Sequence, residues 1–225
     1  MGAPAQRVSI PIFPLTNVVL FPGVQAPLHI FEPRYRAMTA DALVGARMIG
    51  MAAVRDEQAA AETADPALFP FGCAGVIHDA ERLPDGRYHL VLVGTQRFRI
   101  EHEPARPPDR LYRVAEVTLL EDVQDPCDTP RLEQDRRQVI SLFAEIVRRT
   151  NPSRSEEISE DLFTNVADCV FVNTFCQLLE LEPVEKQSLL QTERIADRCQ
   201  QLATLLRFRL AELSGQLPDG DRRVH

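Results

Sequence analysis

The spacing of apolar residues changes once along this 225-residue chain, near Glu121, and that change limits the fold more than any other feature. Before it the apolar positions recur in short strand-like runs. Val8, Ile10 and Ile12 alternate with Ser9, Pro11 and Phe13, and Val18-Val19-Leu20-Phe21 forms an apolar run closed by the turn dipeptide Pro22-Gly23. Leu28-His29-Ile30-Phe31 reads as a further short strand. Pro33 then opens a helix that places Tyr35, Met38 and Ala42 on one face. Residues 48–54 return to strand, and the Ala/Glu-rich residues 56–65 read as an exposed loop or short helix. A hairpin follows, with Leu83-Pro84-Asp85-Gly86 as its turn and Gly86 supplying the positive φ. The return strand, 87–100, is too long to stay flat, so Gly94 marks a bulge or bend of the kind that closes a small barrel. Proline-rich residues 104–108 lead to a last strand over 111–120.

After Glu121 the period is helical. Thr129 is placed to cap a helix with Pro130 in its first turn and Leu132, Val139, Leu142, Phe143 and Ile146 on its buried stripe. A second helix carries Val166, Val170, Phe171, Phe175 and Leu178, and Pro183 opens a third through Leu190. Thr192 is placed to cap the last, in which Ile195, Cys199, Leu202 and Leu206 recur. The expected class is α+β, with a β-barrel subdomain over residues 1–122, a helical bundle over 123–214 and a flexible tail over 215–225.

Charge and cysteine usage narrow the function classes. The net charge is −8; the first 120 residues carry 12 basic and 13 acidic side chains, the remaining 105 carry 13 and 20. Nucleic acid is a poor partner for such a surface, since binding it requires a basic face that displaces counterions. No apolar run approaches the length of a bilayer span, and Arg7 leads straight into a strand-like segment, so no membrane association and a cytoplasmic location are expected. Five cysteines, at 73, 127, 169, 176 and 199, show no C-x-x-C spacing and read as reduced core residues, with neither a disulfide framework nor a metal site.

Three ordered motifs, Pro11-Ile12-Phe13-Pro14-Leu15, Val19-Leu20-Phe21-Pro22-Gly23 and Pro27-Leu28-His29-Ile30-Phe31-Glu32-Pro33-Arg34-Tyr35-Arg36, resemble the N-terminal signature of the Lon N-terminal domain family. Gly72-Cys73-Ala74, Leu83-Pro84-Asp85-Gly86-Arg87 and Gly94-Thr95-Gln96-Arg97-Phe98-Arg99-Ile100 are similar to its later motifs, as is Glu185-Lys186-Gln187 with Leu189-Leu190. The resemblance runs from residue 8 to about 213. It implies a PUA-like β pseudo-barrel followed by a C-terminal helical bundle, binding exposed or unfolded segments of other proteins. Full-length family members add an ATPase and a Ser-Lys peptidase. Lys186, the sole lysine, lies between Glu185 and Gln187 and matches neither a phosphate-binding loop nor an evident dyad, so a non-enzymatic, cofactor-free recognition module is expected.

The candidate peptide-binding residues are Phe31, Glu32, Arg34 and Tyr35, where a strand passes into a helix. Phe31 and Tyr35 would offer aromatic surface while Arg34 holds a carbonyl or carboxylate; the bland alternative has both rings plugging the barrel end and Glu32 or Arg34 satisfied internally, and it is preferred because such aromatics are usually core. Arg97-Phe98-Arg99-Ile100 admits an RNA-binding reading, with Phe98 stacked on a base, but one buried and one solvated strand face gives the same pattern. His29, His78, His89 and His102 share no ligand spacing and read as strand-face residues.

Overall fold

The computed structural model describes residues 6–56, 58, 63, 65–151, 163 and 165–215. Six strands form one sheet: β1 (Arg7–Leu15), β2 (Gln25–Ile30), β3 (Met48–Val54), β4 (Leu68–Arg82), β5 (Tyr88–His102) and β6 (Arg113–Leu120), with α1 (Pro33–Val44) between β2 and β3. Helices α2 (Thr129–Thr150), α3 (Asp168–Leu178), α4 (Pro183–Gln191) and α5 (Ile195–Leu213) follow, α2 being preceded by a 3₁₀ turn at Pro126–Asp128. Most of residues 56–65, and the tail beyond Gly215, lie outside the described residues.

The sheet order is β2-β5-β4-β3-β1-β6, and β6 pairs again with β5, so five strands close on themselves while β2 is appended. All pairings are antiparallel except β1 with β3. Strand β5 makes closure possible because its two halves serve different neighbours. Residues 88–93 lie between β2 and β4, residues 97–99 lie between β4 and β6, and the strand's end pairs with β6. The bend falls where expected: Ala74 pairs with Gln96 but Gly75 with Gly94, leaving Thr95 as the extra residue, its hydroxyl donating to the Ala74 carbonyl at 2.9 Å. Gly94 is required by contact, since a β-carbon there would collide with the Phe21 carbonyl oxygen. That carbonyl belongs to residues 18–21, expected as an apolar strand-like run but forming no strand; Val19, Leu20 and Phe21 are nonetheless buried. The hairpin turn is as expected, with Gly86 at φ 84° and its N–H donating to Leu83 O at 2.9 Å.

By contacts the chain divides into two units. The first comprises the described residues through Asp122 together with Asn173–Glu193; the second comprises Val123–Val172 and Arg194 onward. The helical stretch 173–193 thus clusters with the sheet, differently from a division placed at residue 122 alone. The first unit holds two apolar clusters. One, including Phe13, Leu20, Ile49, Ile77 and Leu92, receives Tyr35, Met38 and Ala42 from α1. The other, including Ile10, Ile12, Phe98 and Val117, is built from strand residues alone.

Arg97 explains why helix α4 joins this unit. It was expected on the solvated face of β5, yet it is 0% exposed. Its Nε donates to Asp122 Oδ1 at 2.5 Å, Nη2 to Glu121 O at 2.9 Å and Nη1 to Leu190 O at 3.1 Å. Leu190 lies in the last turn of α4, where carbonyls lack intrahelical donors, so the guanidinium satisfies that end while it neutralises Asp122. Asn173 adds a second tie, its amide donating to Pro22 O at 3.0 Å.

In the second unit α2 packs against α5. Arg131 pairs with Asp197, Arg207 with Gln138 and Arg149 with Ser214, contacts whose numbers rise together, so the two helices run in the same direction. Three helix ends differ from expectation. Thr129 is already helical behind the 3₁₀ turn that the Asp125 carboxylate caps through Cys127 N; Val166 precedes α3; Thr192 ends α4, while Arg194 is the cap position of α5. A side-chain cap is made only at the 3₁₀ turn, by Asp125; the cap positions of α2 and α5, Asp128 and Arg194, make none.

Removing Arg97 takes the guanidinium donors away from Asp122, Glu121 O and the α4 carbonyl of Leu190. Arg97→Met is expected to cost about 3–5 kcal/mol, measured by urea unfolding. Asp135 of α2 is buried with Oδ2 unbonded among the described residues, and desolvation holds its pKa above the ordinary 3.8, with Arg131 and Arg207 opposing in part. A carboxyl raised on folding costs nothing below its unfolded pKa and destabilises as pH rises through the folded one. Asp135→Leu should therefore gain in melting temperature over the parent between about pH 4 and pH 7, with little gain at the acid end.

Candidate functional site

Strand β2 has β5 on one side and no strand on the other among the described residues. Which of its backbone groups face that free edge follows from the ladder. Gly94 N–H donates to Val24 O at 2.9 Å, and the register continues with Ala26 opposite Leu92, Leu28 opposite Leu90 and Ile30 opposite Tyr88. Even-numbered residues therefore turn their amides toward β5, and Gln25, Pro27 and His29 turn theirs outward. Pro27, which has no N–H to give, sits where the ladder does not require one.

The side chains beside this edge form an aromatic row. His29 stands directly opposite His89, with ring centroids 4.8 Å apart and planes nearly perpendicular. Phe31, two residues on, lies 6.1 Å from the His29 ring, also edge to face. Phe31 is 61% exposed, a large apolar group with little cover.

The four candidate residues are thereby divided between surface and core. Phe31 follows the end of β2 and shares the outer face of His29, so it does not plug the barrel. Tyr35 lies one turn into α1 on the opposite side and is 7% exposed, its ring 4.6 Å from Phe13 in the core. Burial pushes its phenol pKa upward, with Arg34 opposing. Glu32 begins α1 through its carbonyl, which accepts from Tyr35 N and Arg36 N at 3.1 and 2.9 Å, while its carboxylate takes Arg34 Nε at 2.9 Å. The Arg34 guanidinium also lies 4.5 Å from the Tyr35 ring centroid. Of the basic pair flanking Phe98, Arg97 is withdrawn as described, and Arg99 is exposed in a surface ion pair with Glu101 at 2.9 Å.

Sequence spacing gave no sign that His29 and His89 meet, because their 60-residue separation closes only through strand register. Among the described residues no group of three His, Cys, Asp or Glu side chains stands ready to hold a metal, and no helix is long and apolar enough to cross a membrane.

Residues 9–207 match the family model of the ATP-dependent protease La (LON) substrate-binding domain. The chain belongs to that family. Among relatives, the Lon protease of Parabacteroides distasonis is 28% identical over 217 residues, covering 93% of this chain and 25% of that protein. The Lon protease of Flavobacterium johnsoniae is 26% identical, covering 92% and 25%. The chain thus spans about a quarter of the length of these curated relatives, and the match is to the substrate-binding domain and not to an ATPase or protease domain. The fold is that of the N-terminal domain of Mycobacterium avium complex Lon protease, with a TM-score of 0.67 at 17% identity over 89% of this chain and 98% of the other. A Lon N-terminal domain protein from Xanthomonas campestris superposes with a TM-score of 0.59 at 27% identity, covering 88% and 98%.

The division of the four residues is measurable. Tyr35→Ala should cost about 3–5 kcal/mol by loss of a buried ring, whereas Phe31→Ser should change stability by less than about 0.5 kcal/mol. Equal losses in thermal denaturation would place Phe31 in the core.

Proposed function

We propose that this Lon substrate-binding domain recognises exposed, extended segments of other proteins, and that it neither hydrolyses ATP nor cuts peptide bonds. The observation that carries this reading is the free edge of β2 with Phe31 and the His29–His89 pair beside it. An incoming strand would exchange main-chain hydrogen bonds with Gln25 and His29, and with the carbonyl alone at Pro27, while its apolar side chains rest on Phe31 and the imidazole rings. In this arrangement Phe31 is the contact residue, Glu32 and Arg34 border it as a charge pair, and Tyr35 acts from below by fixing α1. Few main-chain bonds and one exposed ring give weak, sequence-tolerant binding, which suits a module that samples many unfolded chains.

The non-enzymatic part of the proposal rests on Lys186. Its ammonium donates to Gln177 O at 3.0 Å, and burial lowers its pKa, so the sole lysine of the chain is engaged with a main-chain carbonyl. The cytoplasmic setting goes with cysteines that form no disulfide.

Binding of a fluorescently labelled, permanently unfolded polypeptide, followed by anisotropy, tests the reading. His29→Pro removes the outward amide without touching the β2–β5 ladder, and Phe31→Ser removes the ring; each should weaken binding about three- to tenfold at unchanged melting temperature. A wild-type protein that leaves the polypeptide free, or that turns over ATP or peptide, overturns the proposal.

A further inference from the structure

A second feature of the β unit is a pocket of about 320 Å³ between the start of α1 and the β4–β5 turn, lined by Pro33, Arg36, Ala37, Arg82, Gly86 and Tyr88 among others. It lies at the end of the β2 ladder, since Tyr88 is the register partner of Ile30. Its charge is unusual for this chain. Two arginines line it, no carboxylate does, and neither the Arg36 nor the Arg82 side chain makes a hydrogen bond or ion pair among the described residues. Asp85 in the turn, whose charge also acts on Arg36, is hydrogen-bonded to Arg87, which holds its two oxygens through Nε at 2.7 Å and its own N–H at 3.0 Å.

Arg36 is also seated for the task. Its guanidinium rests against Gly86, where a β-carbon would overlap Nη2, and its backbone N–H is fixed by Glu32 O at 2.9 Å. The glycine that gives the turn its positive φ thus also leaves room for the arginine. Two guanidinium groups line one pocket walled by proline, alanine and a tyrosine ring, Arg36 half-buried and Arg82 exposed, and an oxyanion between them would accept charge-assisted hydrogen bonds from both. The volume is at the small end for a ligand site and fits a single side chain or chain end, not a cofactor.

We infer that this pocket takes a carboxylate of the bound polypeptide, either an aspartate or glutamate side chain or the free C-terminus, so that the domain prefers acidic or C-terminal segments among unfolded chains. The inference rests on the polypeptide-binding function proposed above and adds a specificity to it. The net charge of −8 opposes acidic peptides in general, so any preference for them must come from a local site.

Two labelled peptides of one unstructured apolar sequence, amidated at the C-terminus, one bearing aspartates and the other asparagines at the same positions, provide the test. The wild type should bind the aspartate form about tenfold more tightly, one charge-assisted contact's worth, and Arg36→Gln with Arg82→Gln should abolish the difference while leaving melting temperature and binding of the asparagine form unchanged. Inorganic phosphate at constant ionic strength should compete away the same difference. An asparagine peptide ending in a free acid, set against its amide, separates a chain end from a side chain as the source; preference for the acid assigns the terminus. Equal binding of all three peptides by the wild type, or an aspartate preference that survives in the double variant, sinks the carboxylate pocket and leaves the polypeptide-binding function standing. Failure of the wild type to bind any of the peptides removes both.

Discussion

The Arg97 guanidinium is the interaction on which the β unit depends. It is a full charge with no exposure to water, and it holds together three pieces of chain distant in sequence: β5, the Glu121-Asp122 exit from β6, and the last turn of α4. A lysine could not do the same, because its three donors radiate from one nitrogen, whereas Arg97 reaches the carboxylate and the two carbonyls from three separate nitrogens of a planar fork. Burying such a group is favourable only when its donors are answered. The fold around Arg97 is therefore fixed in register as well as in shape, since a shift of β5 by one residue would turn the arginine to the opposite face.

What could be read from the sequence follows the range of the forces involved. The hairpin at Asp85-Gly86, the bend at Gly94, α1 from Pro33 and α4 from Pro183 all rest on local backbone restrictions, and all are present. Chain order and the change of period near Glu121 were enough for an α+β class. The clustering of 173–193 with the sheet was not legible, because its ties run through Arg97 and Asn173 to main-chain carbonyls, and a carbonyl leaves no mark in sequence. Alternation misplaced Arg97 for the same reason: it distinguishes the two faces of a strand but not which polar side chain has a buried partner waiting.

The candidate segment illustrates the same limit at closer range. Phe31 and Tyr35 are four residues apart and would share a face in a helix, yet the helix begins only at Pro33, so Phe31 obeys the period of β2 and Tyr35 that of α1. One ring goes out and the other in. The position of the strand-to-helix junction, not the character of either residue, decides which is available to a partner.

An open strand edge is also a hazard, and the composition of β2 bears on how an edge proposed for recognition would avoid self-association. The strand is six residues long, and of its three outward positions Pro27 lacks a donor. A second copy pairing there would find two N–H groups and three carbonyls over the whole length, too few to secure a stable ladder between folded domains. An unfolded chain is less restricted: it can adapt its backbone to the proline gap and reach the aromatic row with its side chains. In the proposed function, the feature that weakens each individual contact would thus discriminate between a flexible partner and a folded one, and would do so through backbone geometry instead of side-chain identity.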